Sequence, residues 1–149
     1  MMQTIENIPQ IKISYSNPQK ASERTKILTS ITCDMVLRPS WQDIGYRETF
    51  KIILLDRTLN VLGISTIGEG GLAGCVSDIR MIFQVALQSN AHAIIIAHNH
   101  PSGTLAPSEH DIKITNKIKR AGRILEIALV DAIILTEESY FSFGDNHIL

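Results

Sequence analysis

The sequence predicts an α/β domain in which helices flank a mixed β-sheet. Two short segments, residues 49–56 and 91–98, are rich in Ile, Leu and Ala, which is typical of buried strands. Residues 76–89 and 108–121 carry apolar side chains at helical spacing and alternate with these strands along the chain. Strands that alternate with helices form layered domains, so we expect two or three layers around the sheet.

The composition excludes several classes of protein. Hydrophobic residues make up 44% of the 149 residues and charged residues 19%, which suits the core of one domain and excludes a disordered or low-complexity protein. Aromatic residues make up only 5%, so we expect a mostly aliphatic core. The net charge of −1 excludes binding of polyanions through overall charge but leaves a local basic face open.

Cysteine usage and the first residues bear on location. Cys33 and Cys75 form neither a CxxC pair nor a disulfide framework. The chain starts without the basic and apolar segments of a secretory signal, and its apolar stretches are far shorter than a membrane span. We therefore expect a cytoplasmic protein that has no membrane partner.

We divide the chain into a lead-in with helices that pack on the domain, residues 1–44, and the domain itself, residues 45–149. Residues 11–16 alternate apolar and polar side chains, as an edge strand does, and an Asn-Pro pair then ends the alternation. Residues 19–36 predict one or two helices. The loop that follows contains Pro39, Ser40 and Gly45.

The domain begins with a predicted β-hairpin. Residues 49–56 and 59–66 form its strands, joined by a short turn. A flexible glycine-rich connection that borders the cleft comes next, before a helix over residues 76–89 that Ser77 or Asp78 caps. The glycines of the connection are Gly68, Gly70 and Gly71.

The second half contains the other buried strand, residues 91–98, and a loop with proline and glycine. A helix then begins near Ser108 and runs to about Ala121, and Gly122 ends it. Residues 124–143 predict one or two further strands.

The segment His98-Asn99-His100 predicts a metal site. His98 ends the apolar strand, and extended backbone points the imidazoles of His98 and His100 to the same side. Asp111 lies one turn into the next helix, where it can complete a set of two histidines and one carboxylate. That set, with a fourth position for water, is typical of catalytic zinc, whereas structural sites have four protein ligands and usually cysteine.

Each part of this constellation also has a structural explanation. Ser108 and Asp111 match the Ser-x-x-acid pattern of a helix N-terminus, and the histidines could be hydrogen-bonded loop residues. Capping and ligation by Asp111 are compatible, because both need a carboxylate there. His110 should project from another face of the helix. Asn99 and Ser102 are expected to shape the loop by hydrogen bonds rather than to do chemistry.

A metal hydrolase also needs a base that takes a proton from water and passes it to the leaving group. Glu48, just before the first core strand, and Glu69, in the glycine-rich connection, are both candidates. Glu109 and Asp56 are further carboxylates in the same part of the sequence. The residues alone do not choose between Glu48 and Glu69.

These residues resemble a known signature. A distant Glu, His-x-His-Pro and, after seven residues, Ser-x-x-Asp form the JAMM (MPN+/JAB) metalloprotease signature, and this chain has matching residues in that order. They are Glu48, His98, His100, Ser108 and Asp111. The string AIIIAHNHPSGTLAPSEHDIKIT is similar to the RadC branch of that superfamily, and the resemblance runs from about residue 45 to the C-terminus.

The resemblance implies the cytidine-deaminase-like α/β sandwich of JAMM domains and a zinc metallohydrolase of the metallopeptidase type. It implies a Zn²⁺ ion, with water as fourth ligand, on His98, His100 and Asp111. It implies that Ser108 holds or polarises the oxyanion of the tetrahedral intermediate. It also implies that Glu48, rather than Glu69, is the general base. JAMM enzymes hydrolyse amide or isopeptide bonds, and RadC proteins carry a DNA-repair label.

Two departures from the family pattern affect what the resemblance implies. RadC proteins usually carry Leu-Asp-His near the last core strand, where this chain has Val130, Asp131 and Ala132; the change leaves the metal ligands intact. Full-length members also have an N-terminal helix-hairpin-helix region, which we expect this chain to be too short to contain. The resemblance therefore does not imply, for this chain, a DNA-binding role that depends on that region.

Three functions remain open. The first is a zinc-dependent hydrolase of amide or isopeptide bonds. The second is a DNA-repair or recombination module that binds DNA or DNA-bound proteins; its support is a set of basic residues on the second helix, which also suits a solvated face. The third is a metal-bearing scaffold without activity, against which the intact polar set argues. The basic residues are Lys113, Lys117, Lys119, Arg120 and Arg123.

Overall fold

The computed structural model describes residues 8–70 and 78–149. The helices in these ranges are α1 (Ser30–Leu37), α2 (Ile79–Gln88) and α3 (Glu109–Ile124). The strands are β1 (Thr49–Leu55), β2 (Val61–Glu69), β3 (Ala93–Asn99), β4 (Ala128–Leu135) and β5 (Tyr140–Ser142). Short 3-10 helices span Ala21–Glu23 and Arg38–Ser40.

The strands form one mixed sheet in the order β2-β1-β3-β4-β5. β1 pairs antiparallel with β2 and with β3, and β5 pairs antiparallel with β4. β3 and β4 are parallel, and α3 lies in the crossover between them. This arrangement confirms the predicted α/β class with a mixed sheet, and it is compatible with the sandwich that the resemblance implies.

Helices cover both faces of the sheet. One face, called the α2–α3 face below, packs against Phe83 of α2 and Ile118 of α3. The other, called the α1 face, packs against Cys33 and Leu37 of α1. Because both sides of β1 and β3 are buried, these strands carry continuous apolar runs instead of alternation. The domain therefore has three layers.

The prediction of an edge strand at residues 11–16 is wrong. Ile11 and Ile13, the residues of its apolar row, are 90% and 75% exposed. Among the described residues the segment has no strand partner; next to it, the Asn17 side chain donates a hydrogen bond to the Leu62 carbonyl, at 3.2 Å. Alternation produces a strand only where one row of side chains is buried and paired, and this row is in solvent.

The glycine-rich connection begins later than predicted. Gly68 belongs to β2, opposite Phe50, and the backbone N–H of Gly70 donates to the Glu48 carbonyl at 2.7 Å. The β1–β2 ladder therefore continues through the first two glycines that we expected to be flexible. Gly71, the third, lies outside the described residues.

The predicted end of the second helix at Gly122 is also wrong, since α3 continues to Ile124. A Cβ atom at Gly122 would lie 2.3 Å from the carbonyl oxygen of Ile127. The glycine therefore allows the chain to fold back closely against the helix on its way into β4. Its lack of a side chain serves this approach rather than helix termination.

The lead-in and the start of α2 agree with the sequence where they are described. Asp78 caps α2 by accepting a hydrogen bond from the Arg80 N–H at 2.9 Å, whereas residues 76 and 77 and Cys75 lie outside the described ranges. α1 overlaps the predicted helical stretch and ends one residue beyond it, at Leu37. The boundary between residues 44 and 45 stays a prediction. In residues 8–70 and 78–149, no helix is long and apolar enough to cross a membrane.

Asp56 organises the β1–β2 turn. Its Oδ1 accepts hydrogen bonds from the backbone N–H groups of Thr58 and Asn60, at 2.9 and 3.0 Å, and its Oδ2 accepts one from the Asn60 side chain at 3.0 Å. Burial raises the pKa of Asp56, but hydrogen bonds from Asn60 and Thr58 outweigh burial and lower that pKa from 3.8 to about 2. The ionised carboxylate therefore stabilises the hairpin.

We predict that Asp56→Ala lowers the free energy of unfolding by about 2 kcal/mol at pH 7, because hydrogen bonds to a charged group are lost. The folded pKa lies below the unfolded one, so this contribution is complete above pH 3.8 and is lost as the pH falls toward 2. Urea unfolding should therefore show a smaller difference from the native chain at pH 2.5 than at pH 7. Glu138→Ala, at an exposed carboxylate, is the control, and equal effects of both variants at pH 7 would contradict the prediction.

Candidate metal centre

Three potential ligands converge at one end of the sheet. His98 comes from β3, His100 follows the strand directly, and Asp111 lies in the first turn of α3. One ligand atom from each lies within 4.8 Å of the others, so the three could hold one metal ion. His98 and Asp111 are buried, and His100 is partly exposed. The structure thus brings together the three residues that the sequence predicts as ligands.

The separations among these atoms suit zinc. The Nε2 atoms of His98 and His100 are 2.9 Å apart, and the Asp111 carboxylate oxygens lie 3.2 Å from His98 Nε2 and 3.4 Å from His100 Nε2. Ligand atoms of a tetrahedral zinc site, with bonds of about 2.0–2.1 Å, lie about 3.3 Å apart. Two imidazoles and one carboxylate are also ligands that zinc prefers. The donor set therefore fits a zinc ion.

His98 is fixed by the sheet and by an aromatic neighbour. It pairs with Phe50 across β1 and β3, and the two rings are stacked, with centroids 6.3 Å apart and planes 6° apart. Phe50 belongs to the core beneath α2 and α3. The β3 strand therefore presents His98 on the α2–α3 face, at the edge of the hydrophobic core.

His100 is held by backbone groups on both sides. Its backbone N–H donates to the Leu135 carbonyl at 2.8 Å, which continues the pairing of β3 with β4. Its ring Nδ1 lies 2.6 Å from the Thr104 carbonyl, so Nδ1 carries the proton and donates it. In the neutral ring the Nε2 lone pair is then free for a metal, and such orientation by a carbonyl is common among zinc ligands.

The two histidines and Asp111 are coupled electrostatically. The hydrogen bond with Asp111 raises the pKa of His100 more than burial lowers it. Burial raises the pKa of Asp111, but hydrogen bonds from His100 and His98 outweigh burial and hold that pKa far below its usual range. Asp111 is therefore an anion, as a carboxylate that binds zinc must be.

Ser108 caps α3. Its Oγ accepts a hydrogen bond from the Asp111 N–H at 3.1 Å, and its own N–H donates to Asp111 Oδ2 at 2.7 Å. This reciprocal pair is a capping box, so the structural explanation for the Ser-x-x-Asp pattern is correct. The cap also places Asp111 beside the histidines. Ser108 is exposed at the N-terminus of the helix, and its catalytic role stays a prediction.

Glu48 lies on the same side of the sheet as the histidines. Phe50 pairs with His98, and continuing this antiparallel register by two residues sets Glu48 opposite His100. Side chains two residues apart on a strand share a face, so Glu48 is on the α2–α3 face. Its negative charge also contributes to the raised pKa of His100, after the larger effect of the hydrogen bond with Asp111.

Glu69 lies on the opposite face. It pairs with Thr49, the neighbour of Glu48, and neighbouring residues of a strand point to opposite sides. Together with Trp41 and Lys51, Glu69 lines a cavity of about 450 Å³ on the α1 face. The sheet therefore separates Glu69 from the metal ligands, and of the two carboxylates that the sequence left open, strand alternation sets Glu48 on the same face of the sheet as the ligands.

Ala132 occupies the position where the family usually has histidine. It is buried on the α2–α3 face in β4, opposite Ile96. The preceding Asp131 accepts hydrogen bonds from the Ser142 hydroxyl at 2.6 Å and the Gly144 N–H at 2.9 Å. Asp131 thus joins β4 to β5 and the residues that follow, while Ala132 packs in the core, and neither belongs to the candidate metal centre.

The basic residues of α3 lie away from the metal ligands. Lys113, Lys117, Arg120 and Arg123 are exposed, and Lys119 is partly buried. Lys113 lies 3.9 Å from the carboxylate of Glu109, as an exposed pair one helical turn apart. The structure therefore leaves open whether this surface binds nucleic acid or is a solvated helix face.

Two residues that support the site were not predicted from the sequence. Phe50 stacks on His98, and Thr104 orients His100 through its backbone carbonyl. Phe50 lies two residues after Glu48, so the two side chains point to the same face of the sheet. Once the pairing of β1 with β3 is known, this alternation predicts that Phe50 lies beside His98. A backbone carbonyl in a loop leaves no mark in the sequence.

Comparisons with known proteins identify the family and relatives of this chain. Residues 27–148 match the family model described as the RadC-like JAB domain. A UPF0758 protein of Flavobacterium johnsoniae is 37% identical over 123 residues, which cover 83% of this chain and 53% of that protein. A UPF0758 protein of Thermotoga maritima is 43% identical over 99 residues, covering 66% of this chain and 45% of that protein.

A third relative, a UPF0758 protein of Porphyromonas gingivalis, is 33% identical over 132 residues, covering 88% of this chain and 58% of that protein. The chain thus spans about half the length of the curated relatives that it matches. The family model covers most of the chain, including Glu48 and the residues of the candidate metal centre. The chain therefore belongs to the RadC-like JAB domain family.

Proposed function

We propose that this domain is a zinc-dependent hydrolase of amide or isopeptide bonds that acts in the cytoplasm. The convergence of His98, His100 and Asp111, with Glu48 on the same face of the sheet, carries the proposal. Membership of the JAB family supports hydrolysis as the type of reaction.

Zinc, when bound by the three ligands, supplies Lewis-acid chemistry and activates water near neutral pH. The chain fixes the ligands before the ion arrives, because His100 is oriented by the Thr104 carbonyl and Asp111 by the Ser108 N–H. Such orientation by neighbouring groups raises metal affinity.

Glu48 takes the role of general base and then general acid in this proposal. Its carboxylate accepts a proton from the attacking water and donates that proton to the leaving nitrogen as the carbon–nitrogen bond breaks. Glu48 is partly exposed just before the start of β1, so it can contact both water and substrate. Its charge acts on His100, which supports a position beside the ligands.

Ser108 is proposed to donate a hydrogen bond to the oxyanion that forms on the carbonyl carbon. Its Oγ accepts from the Asp111 N–H, which leaves its hydroxyl proton available for donation. One oxyanion donor is worth about 3 kcal/mol in comparable sites. Its exposed position at the start of α3 leaves it accessible to a substrate.

The metal site is tested by ligand removal. We expect about one zinc ion per chain in the native protein and less than about a tenth in His98→Ala, because two ligands no longer form a stable site. His92→Ala, at an exposed histidine before β3, is the matched control and should retain zinc. Metal content is measured on protein purified without chelator or affinity-tag metal. Zinc-free native protein that also fails to bind added zinc would contradict the proposal.

The base is tested by an isosteric change. Glu48→Gln should retain zinc and lose between about 10²-fold and 10⁴-fold in turnover, because proton transfer is lost while the ligands remain. Glu69→Gln, on the other face of the sheet, should change turnover by less than about twofold. Turnover is measured on a panel of peptide and isopeptide-linked substrates. A zinc-loaded native protein that cleaves none of them would support a metal-bearing scaffold instead.

A second candidate function is a DNA-repair or recombination module that binds DNA or DNA-bound proteins. The observation in its favour is that Lys113, Lys117 and Arg120 are exposed and spaced along one side of α3. This function is compatible with hydrolysis, because a metal hydrolase can act on proteins at DNA.

If this surface contacts phosphates, affinity for duplex or single-stranded DNA should fall steeply between about 50 and 200 mM salt. The double variant Lys117→Glu/Arg120→Glu should weaken binding further at low salt. Lys12→Glu/Lys20→Glu, with the same charge change outside α3, is the control. Fluorescence anisotropy measures the binding, and equal affinities of the two double variants would exclude α3 as the contact surface.

A further inference from the structure

We propose that Asn99 is a positioning residue that holds Glu48 in place beside the metal ligands. The inference rests on the proposed function, since it concerns the base of that reaction. Asn99 lies between His98 and His100 in sequence, and its side chain points to the other side of the strand. It therefore does not bind the metal, and it acts through the segment that carries Glu48.

The Asn99 side chain binds the backbone on both sides of Glu48. Its Oδ1 accepts a hydrogen bond from the Thr49 N–H at 2.7 Å, and its Nδ2 donates to the Arg47 carbonyl at 2.8 Å. Arg47 and Thr49 are the two neighbours of Glu48 in the chain. One amide group thus brackets the residue that we propose as the base.

A third hydrogen bond joins the Asn99 side chain to the turn that precedes Arg47. Asn99 Nδ2 also donates to the Ile44 carbonyl at 2.8 Å, so both amide protons are used. Asn99 is 0% exposed, so water does not take over these hydrogen bonds when the Asn99 side chain is removed. Loss of the amide would leave buried or partly buried backbone groups unpaired and would release residues 44–49 from β3.

Because of the connectivity of the chain, these hydrogen bonds also constrain the distance between Glu48 and the two histidines. Asn99 is joined by peptide bonds to both histidines, and two of its hydrogen-bond partners, Arg47 and Thr49, are joined by peptide bonds to Glu48. No other side chain in the described residues hydrogen-bonds to both neighbours of Glu48; the Glu48 carbonyl itself accepts from the Gly70 N–H, on the β2 side. The position of the carboxylate relative to the histidines therefore depends on Asn99.

The experiment uses the Co²⁺-loaded chain and needs no substrate. The visible spectrum of Co²⁺ in such sites changes with pH when a group at the metal loses a proton. A carboxylate nearby disfavours that loss, so Glu48→Gln should move the midpoint to lower pH. Asn99→Ala should move it in the same direction by at least half as much, with Co²⁺ affinity within about threefold of the native chain because the ligands are intact.

Three further variants separate positioning from general destabilisation. The double variant Asn99→Ala/Glu48→Gln should shift no further than Glu48→Gln alone, because both changes act through one carboxylate. Asn99→Leu keeps the approximate size without adding a charge and loses all three hydrogen bonds, so it should reproduce the shift if Asn99→Ala folds poorly. Asn60→Ala removes a hydrogen-bonded asparagine at the far end of β1 and should leave the midpoint unchanged.

The outcomes distinguish this inference from the proposed function. If Co²⁺ does not bind the native chain, or if Glu48→Gln leaves the midpoint unchanged, the proposed function fails and the inference fails with it. If Glu48→Gln shifts the midpoint while both Asn99 variants do not, or if the two shifts add in the double variant, the inference alone is overturned.

Discussion

The pairing of β1 with β3 is the constraint on which the candidate centre depends. The register that sets Phe50 opposite His98 also sets Glu48 opposite His100 and leaves Glu69 on the other face. A slip of one residue would reverse every side chain of β1 and remove the carboxylate from the ligands. Burial alone fixes this register weakly, because Ile and Leu occupy both faces of these strands. Polar contacts at the strand ends, such as Thr49 with Asn99, therefore specify it.

The sequence predicts most of the ligand set because its signals are local. His98, His100 and Asp111 lie within 14 consecutive residues, and strand and helix periodicity are enough to point them together. The choice between Glu48 and Glu69 is different. It depends on how residues about 50 positions apart pair, and composition and spacing carry no information about register between uniformly apolar strands. The resemblance favoured Glu48, and the observed pairing sets Glu48 rather than Glu69 on the face of the ligands. The role of Glu48 as base stays a prediction.

The errors in the fold prediction also come from long-range structure. Residues 11–16 have the alternation of an edge strand, yet Ile11 and Ile13 remain in solvent because no strand in the described part of the chain pairs with the segment. Gly122 has the signature of a helix end, but its role is set by the carbonyl of Ile127, which approaches too closely for any side chain. In both cases a local preference was overruled by the position of another segment of the chain.

Capping and metal ligation by Asp111 are not competing explanations. An ionised carboxylate has about four acceptor positions. Asp111 uses one for the Ser108 N–H and still directs its two oxygens toward His98 and His100. The cap fixes the Asp111 side chain at the helix N-terminus, so α3 needs no ordering when a metal ion binds. The Ser-x-x-Asp pattern that favours a simple cap is therefore part of what makes the site ready for a metal.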